Sequence, residues 1–479
     1  MPMMTPEQYI ESLSKLKPTV YIQGQKVENF IEHPLIRPAI QSTAEIYRVA
    51  QEPEHQHLAT TISPLTGERI NRFSHLAGSP DDLVQKVKFN RLLQQRTGTC
   101  FVRCIGLDYM NAAAMVTYDM DKKLGTDYHR RLIEHVKYMQ RNDLAGQGGI
   151  TDLKGDRSLR PAEQADPDLY LHVVERRSDG IIVRGAKAHQ TGSLQCHEAM
   201  VSPCRDMRAA DRDYAVAFAV PIDTPGLIHI VGRSTLDSRW LDGYDIGNIR
   251  CHKYTTMVVY DNVFVPWERV FMCGESEFAG PLVRAFAAFH RQSHGGCKAG
   301  RGDVIIGAAS AIAEYNGVDK ASHVQEKLTD MVHMAETLYA CTIAASTEGT
   351  KTPSGVYFVN NLLANAAKLH EGRVLHEMCR LAQDIAGGLV GTMPSEKDWR
   401  NPEIGKFVEK YLRGVAEVPT EHRMRMIRLI EKLTLESADL VSDVHGGGSP
   451  AAHRMTILRE TDLAAKRKLA RVLAGIEER

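Results

Sequence analysis

Three side chains between residues 289 and 298 have types and a spacing that suit the binding of a transition metal or an iron–sulfur cluster. If this stretch is helical, as the apolar residues just before it indicate, His290, His294 and Cys297 fall at positions i, i+4 and i+7 and share one face. A thiolate beside an imidazole can ligate such a centre. Three side chains do not complete a ligand set, so the partners must come from elsewhere in the chain.

A second pair of candidate ligands, Cys100 and Cys104, lies far upstream and would also share one face if its stretch is helical. Joined to His290 and Cys297, the pair gives three thiols and one imidazole. That set suits a structural zinc ion as well as an iron–sulfur cluster, and free cysteines are also common as small buried apolar side chains. The spacing alone leaves these alternatives open.

Composition excludes several classes of protein. The chain has 479 residues, equal numbers of basic and acidic side chains, 43% hydrophobic residues and 25% charged residues. The absence of a basic excess speaks against nucleic-acid binding, and no apolar run is as long as the roughly 18 residues of a membrane span. Nine cysteines, an odd number without a framework of spacings, indicate thiols rather than disulfides and a reducing, cytoplasmic setting.

Hydrophobic periodicity predicts an α+β protein with three parts. Residues 1–145 read as an N-terminal helical domain, residues 146–275 as a central β domain of barrel-like type, and residues 276–479 as a C-terminal helical bundle. Within the middle part, residues 170–177 and 181–184 flank the turn Ser-Asp-Gly and predict a hairpin.

Six motifs carry a resemblance to a known family. They are CFVRC, ITDLKGDR, GAKAHQTGS, VVYDNVFVP, FHRQSHGGCK and DIAGGLVGTMPS. With them the chain resembles the 4-hydroxybutyryl-CoA dehydratase (vinylacetyl-CoA Δ-isomerase) family, a relative of the flavin-dependent 4-hydroxyphenylacetate 3-monooxygenases. The resemblance implies an acyl-CoA dehydrogenase-like fold, an acyl-CoA substrate, a homotetramer, FAD, and a [4Fe-4S] cluster held by Cys100, Cys104, His290 and Cys297. It also implies a radical elimination of water without net redox change.

The resemblance also implies which segments bind FAD. In the first segment, residues 150–157, the side chains of Lys154 and Arg157 and the backbone amides around Gly155 suit the carbonyl and phosphate oxygens of FAD. The second segment, residues 189–191, ends a predicted strand and offers side-chain groups suited to the flavin ring. The third, residues 383–388, is a glycine-rich turn that contacts the FAD of a neighbouring subunit in this family. The residues are Ile150, Thr151, Asp152, Lys154, Gly155, Asp156 and Arg157, then His189, Gln190 and Thr191, and finally Gln383, Gly387 and Gly388.

Three positions depart from the family's pattern, and all three belong to its chemistry. His294 stands where the family has tyrosine, Thr255 where it has glutamate, and Ser442 where it has a second glutamate. A histidine can accept or donate a proton near neutrality. We therefore expect His294 to act as acid and base, and Asp443 and His445 to replace the missing C-terminal carboxylate.

The expected catalytic set is completed by His290 and by Lys298 as electrostatic support. Three other readings remain open. One is a flavin monooxygenase acting on a phenol, and another is a dehydratase for a different hydroxylated substrate. The third is a non-catalytic oligomeric scaffold with structural zinc.

Overall fold

The computed structural model describes residues 3–233 and 251–476, and its element order is helical, then mainly β, then helical, as predicted. The α+β class is therefore confirmed. The N-terminal elements are α1 Pro6–Ser14, β1 Thr19–Ile22, β2 Gln25–Val27, α2 Arg37–Gln51, α3 Gln56–Ala59, β3 Thr60–Ile62, β4 Arg69–Asn71, α4 Pro80–Thr97, α5 Cys104–Leu124 and α6 Tyr128–Arg141. Two short hairpins, β1–β2 and β3–β4, are additions to the helices that the sequence predicted here.

The central part forms two sheets. Its strands are β5 Gly146–Gly149, β6 His172–Arg176, β7 Gly180–Thr191, β8 Glu198–Val201, β9 Val216–Pro221, β10 Leu227–Val231, β11 Thr255–Pro266 and β12 Val270–Cys273. The larger sheet has the order β2-β1-β10-β11-β7-β6 and the smaller one the order β12-β9-β8-β5. The predicted hairpin is the antiparallel pair β6–β7. Strand β1 joins this sheet by pairing in parallel with β10, so the N-terminal part contributes to it directly.

The C-terminal part is a helical assembly around one long helix. Its elements are α7 Ser276–Tyr315, α8 Ser322–Thr347, β13 Thr350–Lys351, β14 Tyr357–Phe358, α9 Asn361–Ala386, α10 Leu389–Thr392, α11 Glu396–Arg400, α12 Gly405–Tyr411, α13 Thr420–Leu435, α14 Ser437–His445, α15 Pro450–Glu460 and α16 Leu463–Leu473. Helix α7 packs against α4, α5, α8 and α9. Each of these contacts buries part of its surface.

Helix α7 connects the two hydrophobic cores of the described chain. Its first half, which includes Phe286 and Phe289, packs into the core shared by the N-terminal and β parts. Its second half, which includes Ile305 and Ile312, packs into the core of the bundle. The stretch with His290, His294 and Cys297 therefore lies where the two cores meet, and the expectation that this stretch is helical is confirmed.

Two breaks interrupt the C-terminal helices, one between α13 and α14 and one between α15 and α16. Glu436 has an extended backbone between α13 and α14, and its side chain accepts a hydrogen bond from the backbone N–H of Ala438. Asp462 caps α16 in the same way at Ala465. Capping carboxylates satisfy amides at a helix start, so these breaks are stable features.

Two further expectations concern the whole chain. All nine cysteines are free, as expected. Among the described residues, no helix combines the length and the apolar character that a membrane span needs.

Candidate active site

The central turns of α7 pack tightly against their neighbours because two glycines occupy the contact points. A Cβ at Gly295 would collide with the Thr342 side chain of α8, and a Cβ at Gly296 would lie 2.6 Å from the Val87 carbonyl of α4. Close helix packing thus explains the two glycines of the motif. It fixes the face of α7 on which His290 and His294 lie, with their ring centroids 4.7 Å apart in an edge-to-face arrangement.

Asp108 on α5 fixes the orientation of the His290 ring. The Nδ1–H of His290 donates to Asp108 Oδ2 at 2.9 Å, while Lys86 Nζ and Ser293 Oγ each donate to Oδ1 at 2.9 Å. Asp108 is fully buried, and although burial alone would raise its pKa, Lys86 and His290 hold it below its usual value. His290 is left with Nε2 as its free ring nitrogen, the arrangement of metal-binding histidines whose other nitrogen donates to a carboxylate.

Sequence reasoning missed Asp108, although a signal was present. It lies four residues after Cys104, on the same face of α5. Extending the cysteine spacing by one further helical turn would have identified it.

Cys100 and Cys104 do not share a helical face, contrary to expectation. Helix α5 begins at Cys104, and Val102 and Arg103 before it have φ values of 61° and 32°. Residues other than glycine rarely adopt this left-handed backbone conformation, and β-branched residues such as valine adopt it least often. The backbone of this loop is therefore strained. Such strain persists only where the surroundings impose it.

A buried ion pair holds this loop in place. The Arg103 guanidinium donates to Asp143 Oδ1 at 2.5 Å and to Ser74 Oγ at 3.1 Å, and it lies 4.8 Å from the centroid of the Tyr47 ring. The anchor on Asp143 thus fixes the turn that separates the two cysteines.

The three thiols nevertheless lie close enough together to influence one another. Burial raises the pKa of Cys104 well above its ordinary value, and the charges of Asp108, Cys100 and Cys297 raise it further. Burial likewise raises the pKa of Cys297 to about 12. Cys100 and Cys297 are half-buried, whereas Cys104 is buried.

The candidate ligand atoms of Cys100, Cys104, Cys297 and His290 are widely spaced. Around one zinc with bonds near 2.3 Å, ligand atoms stand about 3.8 Å apart. Within residues 3–233 and 251–476, the only three metal-type side chains with ligand atoms all within 4.8 Å are Glu52, Glu54 and His55. The thiols and His290 are therefore spread more widely than a mononuclear site requires.

A carboxylate on α9 contacts His294. The Nδ1–H of His294 donates to Glu371 Oε1 at 3.1 Å, and Lys368 Nζ donates to the same oxygen at 2.6 Å. Burial lowers the pKa of His294 well below its ordinary value, and the nearby cations Lys368 and Lys298 lower it further. The sequence did not identify Glu371, because it lies 77 positions from His294 and only the packing of α7 on α9 joins them.

The loop after α14 covers this site. A Cβ on Gly446 would lie 2.5 Å from His294 Cε1 and 3.1 Å from Nε2, and one on Gly447 would lie 3.8 Å from His290 Cδ2. At Gly446 only glycine allows the backbone to approach the His294 ring so closely, and at Gly447 the φ of 74° favours glycine. His453 on α15 lies near this loop, buried, with neither ring nitrogen in a hydrogen bond.

Lys298, one helical turn after His294 on α7, forms a buried ion pair with Asp443. Lys298 Nζ lies 2.8 Å from Asp443 Oδ1, and Arg301 pairs with Oδ2. Although burial opposes the shift, Arg301 and Lys298 hold the pKa of Asp443 below its usual value. With a cation on each oxygen, Asp443 anchors α14 to α7 and is poorly suited to the proton-accepting role that we expected. His445 is exposed and lies near His189.

The first two segments expected to bind flavin lie side by side. The backbone N–H of Ala188 donates to the Thr151 carbonyl at 2.8 Å, and the charge of Lys154 lowers the pKa of His189 after the larger effect of burial. Thr191 is paired across the sheet with Thr255, the first residue of β11. Thr255, which stands where the family has glutamate, therefore adjoins the surface formed by these two segments.

Side chains of these segments differ in what they can offer a ligand. Asp152 is occupied: its carboxylate pairs with Lys187 at 2.8 Å and accepts from the Leu171 amide at 3.0 Å. Gln190 is buried and its Oε1 accepts no hydrogen bond. Of the other expected residues, Ile150 is buried, and those that are half-buried or exposed are Thr151, Lys154, Gly155, Asp156, Arg157, His189 and Thr191.

The third segment is remote from the other two along the chain and lies at the surface. Gly387 ends α9 with a φ of 79°, and the Gln383 side chain donates to Thr434 Oγ1 at 3.0 Å. A Cβ on Gly387 or Gly388 would meet no atom of this chain within 4 Å. Gly388 is thus not required by packing inside the chain.

Comparison with known proteins places this site in a family. Sequence profiles described as the N-terminal and C-terminal parts of 4-hydroxyphenylacetate 3-hydroxylase match residues 5–272 and 279–475. Over 99% of its length the chain is 49% identical to the whole 4-hydroxybutyryl-CoA dehydratase/vinylacetyl-CoA Δ-isomerase of Clostridium aminobutyricum. The chain belongs to the 4-hydroxybutyryl-CoA dehydratase branch of the 4-hydroxyphenylacetate 3-hydroxylase family.

Solved structures agree with this place in the dehydratase branch. An oxygen-tolerant archaeal 4-hydroxybutyryl-CoA dehydratase from N. maritimus matches with a TM-score of 0.97 and 45% identity, covering 100% of this chain and 96% of that one. The oxygenase component of 4-hydroxyphenylacetate 3-monooxygenase complexed with FAD matches with a TM-score of 0.87 and 24% identity, covering 98% of both chains. A glutaryl-CoA dehydrogenase, at 13% identity and a TM-score of 0.51 over 100% of this chain and 98% of its own, shares the fold. The expected acyl-CoA dehydrogenase-like fold is confirmed.

Proposed function

We propose that this protein is an FAD- and [4Fe-4S]-dependent dehydratase that converts 4-hydroxybutyryl-CoA to crotonyl-CoA and isomerises vinylacetyl-CoA. The observation that carries the proposal is the proximity of Cys100, Cys104 and Cys297 to one another and to Asp108, the carboxylate that orients the His290 ring. The family relation supports it, since 49% identity extends over nearly the whole chain.

The donor set fits a [4Fe-4S] cluster better than a single ion. Its ligands are Cys100, Cys104, Cys297 and His290, the last through Nε2, because Nδ1 is bonded to Asp108. When bound, such a cluster with one imidazole ligand supplies a Lewis-acidic iron for a leaving hydroxyl group. The structural-zinc alternative is disfavoured by the wide ligand spacing in the described residues.

The surface formed by the first two flavin segments fits FAD. The unpaired Gln190 Oε1 is a buried acceptor suited to a ring N–H, and Lys154 with Arg157 supplies cations for the phosphates. When bound there, the flavin supplies one-electron chemistry. We assign Asp152 to holding the turn through Lys187, with Ile150, Thr151, Gly155 and Asp156 contributing backbone groups.

His294 is the proton-transferring group in this proposal. Its Nδ1–H is held by Glu371, which leaves Nε2 as the acceptor beneath Gly446. A base at this point can remove a proton next to a thioester carbonyl. The glycine loop excludes water from His290 and His294, and Lys298 with Asp443 holds α14 and the loop after it against α7.

A homotetramer and a reducing, cytoplasmic setting complete the proposal. The exposed Gly387 and Gly388 offer a backbone surface without side chains, suited to a partner subunit's FAD. Nine free thiols, three of them proposed cluster ligands, suit a compartment that keeps cysteine reduced.

A second candidate is dehydration of a different hydroxylated acyl thioester. The observation favouring it is that the three positions that depart from the family's pattern all adjoin the site described above: His294, Thr255 and Ser442. The chain would then keep the cofactors and reaction type with another acyl group.

Cofactor analysis of the anaerobically purified protein tests the proposal. We expect about four iron, four sulfide and one FAD per chain. Cys100→Ala and Cys297→Ala should lose iron, whereas Cys196→Ala, which removes a buried cysteine outside the ligand set, should retain it. One zinc per chain without sulfide would reject the proposal.

A further inference from the structure

Glu371 lies at the centre of a buried polar cluster that the proposed chemistry does not explain by itself. It has no exposed surface, and its Oε1 accepts from both His294 Nδ1 and Lys368 Nζ. Its second oxygen, Oε2, is buried without a hydrogen bond. Burying a carboxylate costs free energy unless it is paired and hydrogen-bonded, so its contacts with His294 and Lys368 are important for its stability.

Two donors hold the Glu371 side chain in place, because His294 Nδ1 and Lys368 Nζ both donate to its Oε1. Burial raises its pKa, and the Lys368 ammonium opposes that rise. Lys368 is itself fixed, because Nζ also donates to the Asp443 carbonyl at 2.7 Å. The carboxylate therefore meets His294 as an acceptor, and the neutral ring must carry its proton on Nδ1.

Glu371 also lies beside the position where the family's pattern has a glutamate. Lys368 Nζ is 3.5 Å from the Ser442 carbonyl and 2.6 Å from Glu371 Oε1, so both groups adjoin one ammonium. Ser442 supplies no carboxylate, and Asp443 is held by Lys298 and Arg301. Among these groups only Glu371 has its carboxylate on His294.

We propose that Glu371 is the positioning residue for His294, accepting from Nδ1–H and keeping Nε2 directed beneath the glycine loop. This inference rests on the proposed function, since it assigns His294 its proton-accepting atom. It also explains how histidine works at a tyrosine position: an imidazole needs a partner to select one tautomer, and a phenol does not.

Kinetics of Glu371→Gln and Glu371→Asp, with Glu377→Gln as control, test the assignment. Glutamine presents both a donor and an acceptor, so it no longer selects the tautomer. We expect Glu371→Gln to lower kcat by about 100-fold with KM within about threefold, and Glu371→Asp to restore part of the loss. Glu377, exposed on the same helix and paired with Arg380, should tolerate the change. A Glu371→Gln enzyme with wild-type kcat would overturn the proposal.

A structural readout separates this inference from the proposed function. In a crystal structure of the Lys368→Met/Glu371→Leu double variant, which removes both charges together, the His294 ring should rotate while His290 keeps its contact to Asp108. Lys368→Met alone should leave the ring in place. An unrotated ring in the double variant would overturn the role of Glu371. Absence of turnover in the wild-type enzyme would reject the proposed function instead.

Discussion

Asp108 Oδ2 accepts a 2.9 Å hydrogen bond from His290 Nδ1 and thereby joins α5 to α7. The same carboxylate binds Lys86 of α4 and Ser293 of α7 through its other oxygen. Since Cys104 begins α5 and Cys297 lies on α7, the bond sets the distance between the two halves of the ligand set. Asp108 thus holds together the helices that carry the residues of the proposed cluster site.

Asp108→Asn should weaken retention of the cluster. Loss of the carboxylate frees the His290 ring, and outer partners of metal ligands typically contribute 10- to 100-fold in affinity. We expect an iron chelator to strip the variant about 10-fold faster than the wild type, followed by absorbance. Asp119→Asn, an exposed change on α5, is the matched control.

A second variant controls for folding. Because Asp108→Asn leaves the Lys86 ammonium buried without its counterion, Lys86→Met/Asp108→Asn removes both charges. Equal stripping rates in this double variant and the wild type would show that Asp108 does not support the site.

Asp143→Asn should destabilise the loop between the cysteines. The change leaves the Arg103 guanidinium, 1% exposed, without its counterion. Breaking such a buried pair costs about 3 kcal/mol or more in the free energy of unfolding. Asp127→Asn removes ion pairs of an exposed carboxylate with Arg130 and Arg131 and should cost less, about 1 kcal/mol. Denaturant titration compares the two, and equal losses would contradict the role of Asp143.

His197→Gln should reduce the loss of stability at acidic pH. The Ala145 amide donates to His197 Nδ1 at 3.0 Å, and burial lowers the His197 pKa from 6.5 to about 3. The unfolded chain therefore takes up this proton first, and stability falls as pH drops from 6.5 toward 3. Between pH 6.5 and 5.5 the wild type should lose about 1 kcal/mol more than the variant, because the unfolded histidine is only half protonated at pH 6.5 and the slope approaches its limit of about 1.4 kcal/mol per pH unit at lower pH. Urea titrations at pH 6.5, 6.0 and 5.5 measure the difference, and parallel curves would contradict it.

Local patterns in the sequence were enough to predict the helical site. The spacing of His290, His294 and Cys297 predicted one face of a helix, and α7 provides it. The glycines of the motif made the tight packing possible. The spacing depends only on residues within two turns of one another, whereas the packing at Gly295 and Gly296 involves Thr342 and Val87, which are distant in the sequence.

Features that depend on distant contacts could not be predicted. The strained turn at Val102 is imposed by Arg103 and Asp143, and strand β1 forms by pairing with β10 some 200 residues later. Glu371 gains its role only when α9 packs on α7. No periodicity in the sequence reports such contacts, which depend on the complete fold.

Turnover of 4-hydroxybutyryl-CoA by the anaerobic, FAD- and iron-replete protein tests the central claim most directly. The proposed function predicts formation of crotonyl-CoA, detected by chromatography, and conversion of vinylacetyl-CoA to the same product. Absence of both conversions in a sample with about four iron, four sulfide and one FAD per chain would contradict it.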